Sequence, residues 1–221
     1  MTLTRIFTAA LLSALGMAAF SLYAWFQLPE GALVAIHWNI AGNVDNSTTK
    51  TTALLAIPLV TLALAGFLKA LPYFEPRRKN FEQSPKLIGA TWIGVILVMW
   101  AAQFIIVGTA LGWDVNIFLV LKVALGAMMM LTGNYAAKSK SMFLIGFRTP
   151  WTLSSETVWK KTHSLFGKLF MVAGLILIVL PLSAFPVETF GLIMIALIMA
   201  PILVCLVYSW IVWRGEQNEK P

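Results

Sequence analysis

The stretch 187-VETFGLIMIALIMAPILVCLVYSWIVW-213 carries one charged residue, Glu188, and its reading decides the fold. A transmembrane helix needs about 20 mostly apolar residues, because the hydrocarbon core is about 30 Å thick and each residue rises about 1.5 Å. Five further stretches satisfy this, at Phe7–Leu28, Thr52–Leu71, Leu87–Leu111, Val115–Thr132 and Leu165–Phe185. Composition agrees. Of 221 residues 59% are hydrophobic and 11% charged, whereas a soluble domain carries about 25% charged residues. A soluble enzyme and a disordered chain are excluded, and Cys205, the single cysteine, rules out a disulfide scaffold. A β-barrel would alternate apolar and polar residues in short segments, and no such pattern is visible. The expected fold is all-α: a polytopic membrane protein with six transmembrane helices, forming a single domain over 1–221. The first span is too long for a cleaved signal peptide and is read as retained.

The net charge of +7 is a topology signal. Arg77, Arg78, Lys79 and Lys86 fall in segment 72–86, and Lys138, Lys140, Arg148, Lys160 and Lys161 in segment 133–164. Arg5 precedes the first span, and Arg214 and Lys220 follow the last. The alternate connections hold Lys50 against Glu30, Asp45, Asp114 and Glu188. Lysine and arginine stay on the cytoplasmic side, so both termini are expected there, with loop 29–51 outside and loop 133–164 inside. The division is an N-terminal part, 1–71, and a C-terminal part, 87–213. Direct nucleic-acid binding is not expected. Tryptophans at 25, 38 and 113 fall near the outer surface, and those at 92, 151, 159, 210 and 213 near the inner one, where indole rings favour the headgroups. Pro58, Pro181 and Pro201 within spans read as tolerated kinks.

Two connections are chemically rich. In the outer one, Gly42 and Asn43 permit a tight turn that can gather His37, Asn39 and Asp45 beside Trp38. Either these side chains satisfy the loop's own backbone or they form a binding site; residue types leave both open. In the inner one, Pro150 disfavours helix at Thr149, and Ser154 is a plausible N-cap with Glu156 in the first turn. A helix from there places Glu156, Trp159, Lys160, His163 and Gly167 on one face. Composition favours an interfacial helix leading into the fifth span.

The inner run Gly146-Phe-Arg148-Thr149-Pro150-Trp151-Thr152-Leu, with Ser155-Glu156, Val158-Trp159 and Lys161-Thr162-His163 after it, resembles the signature of the SdpI family, membrane proteins named for a toxin-immunity protein. The Gly133-Asn134 pair fits the same pattern. The Ile36-His37-Trp38-Asn39 stretch with Gly42, Asp45 and Lys50 resembles a domain of unknown function that often precedes it. Phe147, Met142 and Ser164 depart from the family's usual Ile, Asn and Arg. The resemblance implies immunity to a secreted toxic peptide, a signalling role in some members, and a multi-pass place in the bacterial cytoplasmic membrane. Implied partners are the lipid bilayer, a toxin or signal peptide, and a cytoplasmic regulatory protein.

Three function classes are weighed. A receptor-like immunity protein binds an amphipathic or apolar peptide near the outer face. A small-solute transporter or facilitator is the alternative, although no Asp or Glu lies deep in a span to couple ions. An intramembrane enzyme is disfavoured: His37 and His163 fall on opposite faces, about 30 Å apart, and no catalytic motif is recognisable. No catalytic residue, cofactor or metal site is expected. Lys122 lies inside the fourth span at a depth similar to Gln103 in the third. Its long stem lets Lys122 snorkel to the outer headgroups; alternatively, because central lysines are costly in lipid, it faces inward, bonds Gln103 or Asp45, and floors the ligand pocket.

Overall fold

Six long apolar runs build the molecule, and hydroxyl or amide caps open three of them. The computed structural model describes residues 3–219, and Lys220 lies outside the described residues. In chain order come α1 (Leu3–Gln27), β1 (Leu33–Trp38), β2 (Val44–Thr49), α2 (Lys50–Phe74), α3 (Arg78–Glu82), α4 (Pro85–Ala110), α5 (Ile117–Ala136), α6 (Pro150–Ser154), α7 (Glu156–Val179) and α8 (Val187–Asn218). Six of these, α1, α2, α4, α5, α7 and α8, are long and apolar enough to cross a membrane. Thr49 Oγ1 takes the Thr52 amide at 3.4 Å, Asn116 Oδ1 the Leu119 amide at 3.0 Å, and Ser155 Oγ the Val158 amide at 3.3 Å. Each cap satisfies a donor that the first helical turn leaves unpaired.

Three details differ from the sequence expectations. Ser154 ends α6, so the cap of α7 is Ser155. The expected interfacial helix and fifth span are one continuous helix that stops at Val179, which leaves Pro181 in the link to α8 rather than inside a span. Loop 29–51 contains an antiparallel hairpin, β1 against β2, with Leu33 opposite Thr49 and Trp38 opposite Val44. Its first strand begins Leu-Val-Ala-Ile, an unbroken apolar run without the alternation that marks a strand.

The helices α1, α2 and α4 pack together, α5, α7 and α8 form a second group, and α4 against α5 joins the two. Helices α5 and α7 approach closely. A Cβ placed on Gly126 would stand 2.7 Å from the Gly174 carbonyl, and one on Gly133 2.7 Å from the Gly167 carbonyl. The two glycines on each helix are two turns apart and share a face, so backbone rests on backbone. Small residues permit this approach, which lets helices adhere by dispersion where lipid removes the hydrophobic drive. Leu12, Leu59 and Leu203 are exposed on the outside of the bundle, as a surface solvated by acyl chains requires. Trp159 is fully buried, in a core with Ile6, Leu71, Phe81 and Met142.

Candidate functional site

At one end of the bundle the hairpin lies across the helices. Gly42, at φ +80°, makes its turn, and Asn39 Oδ1 accepts the Ala41 and Asn43 amides, each at 3.0 Å. Asn39 is thereby spent on the turn itself. The same turn brings His37 Nδ1 to 2.5 Å from Asp45 Oδ1, an exposed imidazole–carboxylate pair. Beyond the turn Ile40 reaches α8. A Cβ on Gly191 would stand 2.5 Å from Ile40 Cγ1, so the missing side chain is the seat for Ile40. The hairpin thus roofs an apolar cleft of about 470 Å³ between the two helix groups, walled by Ile57, Ile106, Phe118 and Met194 and edged by His37 and Trp38. Lys50 fixes the root of the hairpin. Its ammonium donates to the Leu28 carbonyl at 3.2 Å, beyond the end of α1, and lies 4.7 Å from the centre of the Trp25 ring.

At the other end, segment 139–155 is held as a folded loop. Thr149 caps α6 reciprocally with Thr152, and its hydroxyl meets Ser209 of α8 at 3.2 Å. The Phe147 amide donates to His163 Nε2 at 2.9 Å. That nitrogen must therefore carry a lone pair, which puts the ring proton on Nδ1, 2.9 Å from the Trp159 carbonyl that accepts it. The Trp159 and His163 rings stack at 3.9 Å, and Trp159 Nε1 donates to Ser139 Oγ at 3.2 Å. Gly146, at φ +118°, passes over both rings; a Cβ there would stand 2.7 Å from Trp159 and 2.8 Å from His163 Nε2.

The structure sorts the expected site residues. His37, Trp38, Gly42 and Asp45 come together at the hairpin. Gln103 and Lys122 do not join them or line the cleft. Gln103 Nε2 donates to Ser21 Oγ at 2.8 Å, on the side of α4 that faces α1. Lys122 does turn inward, 5% exposed, but its ammonium donates to the Leu180 carbonyl at 2.6 Å, at the C-cap of α7. A cation satisfies an unpaired carbonyl there and opposes the negative end of the helix dipole, which is why neither Gln103 nor Asp45 is its partner. In the signature loop, Gly146, Thr149, Pro150, Trp151, Thr152, Trp159 and His163 form one unit, and Glu156 Oε1 takes the Ser141 amide at 3.3 Å. Thr162 is buried, Lys161 is exposed, and Asn134, exposed on α5, takes no part in its hydrogen bonds. Arg148, which the resemblance marks, is exposed and donates to the Phe143 carbonyl at 2.6 Å.

Two decisive residues lie outside that pattern, in the link after α2. The Glu75 carboxylate, 4% exposed, accepts the Phe143, Leu144 and Arg77 amides at 3.0, 2.8 and 2.9 Å. The Arg77 guanidinium donates to Ser141 Oγ and, at 2.6 Å, to the Leu153 carbonyl, and lies 5.0 Å from the centre of the Phe143 ring. Their only sequence signal is a carboxylate and a guanidinium flanking Pro76 just past an apolar helix.

Hairpin, cleft, six apolar helices and a pinned loop at the far end define a multi-pass α-helical membrane protein with a polar device at each end. Residues 138–209 match the SdpI/YfhL protein family and residues 12–62 a domain of unknown function, DUF1648. The first of these matches spans the signature residues, so the C-terminal segment is similar to that family. It is 29% identical over 191 residues to the immunity protein SdpI of Bacillus subtilis (strain 168), covering 86% of this chain and 87% of that one. No solved structure matches it.

Proposed function

We propose that the protein is an immunity protein of the bacterial cytoplasmic membrane that binds a toxic or signalling peptide under the hairpin, on the extracytoplasmic face. The observation that carries this reading is the cleft of about 470 Å³, apolar in its walls and edged by His37, whose ring pairs with the exposed Asp45. Such a site suits an amphipathic peptide, whose apolar side chain enters while a polar group meets the pair at the edge. The likeness to an immunity protein favours a toxic ligand. The concentration of Lys and Arg at the opposite end favours an outward hairpin, and leaves the pinned loop facing a cytoplasmic regulatory protein. No step in this role is enzymatic.

The test is to delete the gene, challenge the cells with peptides secreted by neighbouring strains, and restore either the wild type or Ala102→Phe, which fills the cleft from α4. Deletion should sensitise the cells. The wild type should restore protection, and Ala102→Phe should not, at equal membrane content. Full protection by Ala102→Phe removes the cleft from the mechanism. Altered small-solute uptake with no change in peptide sensitivity replaces immunity with transport.

A further inference from the structure

We propose that the recess between the end of α5 and the first turns of α7 binds the phosphate of an anionic phospholipid headgroup. The recess holds about 370 Å³ and is lined by Lys138, Ser139, Lys140, Glu156, Thr157 and Lys160. Three ammonium groups face one carboxylate. That carboxylate is already engaged, since Glu156 Oε1 receives the Ser141 amide at 3.3 Å and Asn80 Nδ2 at 3.2 Å. The lysines are not neutralised: the ion pairs among the described residues are His37–Asp45 and Arg78–Glu82, and neither involves them.

The lysines are held in place by their backbone. Ser139 and Ser141 point into the protein, 7% and 0% exposed, while Lys138 and Lys140 alternate outward. Ser139 Oγ donates to the Ala136 carbonyl at 2.7 Å and accepts Trp159 Nε1, and the Lys140 amide donates to Ser84 Oγ at 2.9 Å. Lys160 completes the recess from α7. A fixed backbone lowers the ordering cost of gathering the charges around one anion. Position selects the ligand. The recess opens where α5 ends at Ala136 and α7 begins at Glu156, and there the apolar spans meet the headgroup layer. Lys138 also lies over the Tyr135 ring at 5.5 Å, an amphipathic ring of the kind that marks this level. Basic pockets at helix ends recognise anionic headgroups by charge, and phosphatidylcholine, which is neutral overall, is the natural contrast.

The test uses the full chain in neutral detergent, followed by native mass spectrometry with added phosphatidylglycerol or phosphatidylcholine. The wild type should retain phosphatidylglycerol in preference to phosphatidylcholine. The triple variant Lys138→Gln, Lys140→Gln, Lys160→Gln should bind it at least about tenfold more weakly, and Lys161→Gln, on α7 outside the recess, should match the wild type. Size-exclusion elution checks folding; if the triple variant fails that check, Lys140→Gln alone should show about a threefold loss. Undiminished binding by the variant that folds, equal retention of both lipids, or an equal loss in Lys161→Gln overturns the proposal. So does inorganic phosphate binding as tightly as the lipid, which would make this a site for free phosphate.

Discussion

Removing the carboxylate of Glu75 should loosen the whole signature loop, although Glu75 lies outside it. Three backbone amides, those of Phe143, Leu144 and Arg77, converge on this one side chain within 3.0 Å. A hydrogen bond to a charged group contributes about 1.5–3 kcal/mol, and a buried donor left unpaired costs a comparable amount. Phe143 is exposed, so water can reach part of the vacated site, and the three bonds do not add in full. Glu75→Ala should therefore cost about 3–5 kcal/mol. A chain of this size loses about 2–4 °C of midpoint per kcal/mol, so thermal unfolding in detergent, followed by tryptophan fluorescence, should shift down by about 10 °C. Trp159 sits inside the affected core and reports the change directly. Glu75→Gln keeps one acceptor oxygen but turns an amide group toward the donors, and should fall about halfway between. A midpoint for Glu75→Ala within about 2 °C of wild type, or a larger loss in Glu75→Gln than in Glu75→Ala, would refute the reasoning.

Two other changes probe separate contacts. Gly146→Ala forces a Cβ to within 2.7 Å of Trp159 at φ +118°; the same unfolding scan should show a loss of about 2–4 kcal/mol, and an unchanged midpoint would mean that the loop does not pass over the two rings. Lys122→Leu makes the span more apolar yet deprives the Leu180 carbonyl of its ammonium donor. It should insert normally but lose about 1–3 kcal/mol of stability, and a stabilised protein would mean that the lysine does not cap α7.

The legible part of the fold is the part governed by the bilayer. Six apolar runs had to become helices because hydrocarbon offers the backbone no other partner, and the basic residues fall between them on alternate sides. Gly42 was legible too, since a turn between Asn39 and Asn43 leaves few choices of residue. What stayed hidden depends on pairing between distant segments. Gln103 and Lys122 are similar in depth, but depth does not specify direction around a helix, and each turned to a nearer orphan, Ser21 and the Leu180 carbonyl. Gly126, Gly133, Gly167 and Gly174 carry a signal in their spacing: two glycines seven residues apart in each of two spans mark a close helix contact. Glu75 offered almost none, because its importance comes from amides about 70 residues away.

The seat of Ile40 on Gly191 also has a consequence for the order in which the protein is made. The hairpin leaves the ribosome early, but the helix that receives its tip is the last one, about 150 residues later, which at ordinary elongation rates is roughly 8–30 s. Until α8 has inserted, the roof has no far wall and the cleft stays open on that side. A chain released before residue 187 would place its first five spans and its hairpin in the membrane without ever closing the site. The carboxyl-terminal helix is thus the completion step for a pocket whose most polar residues were the first to emerge.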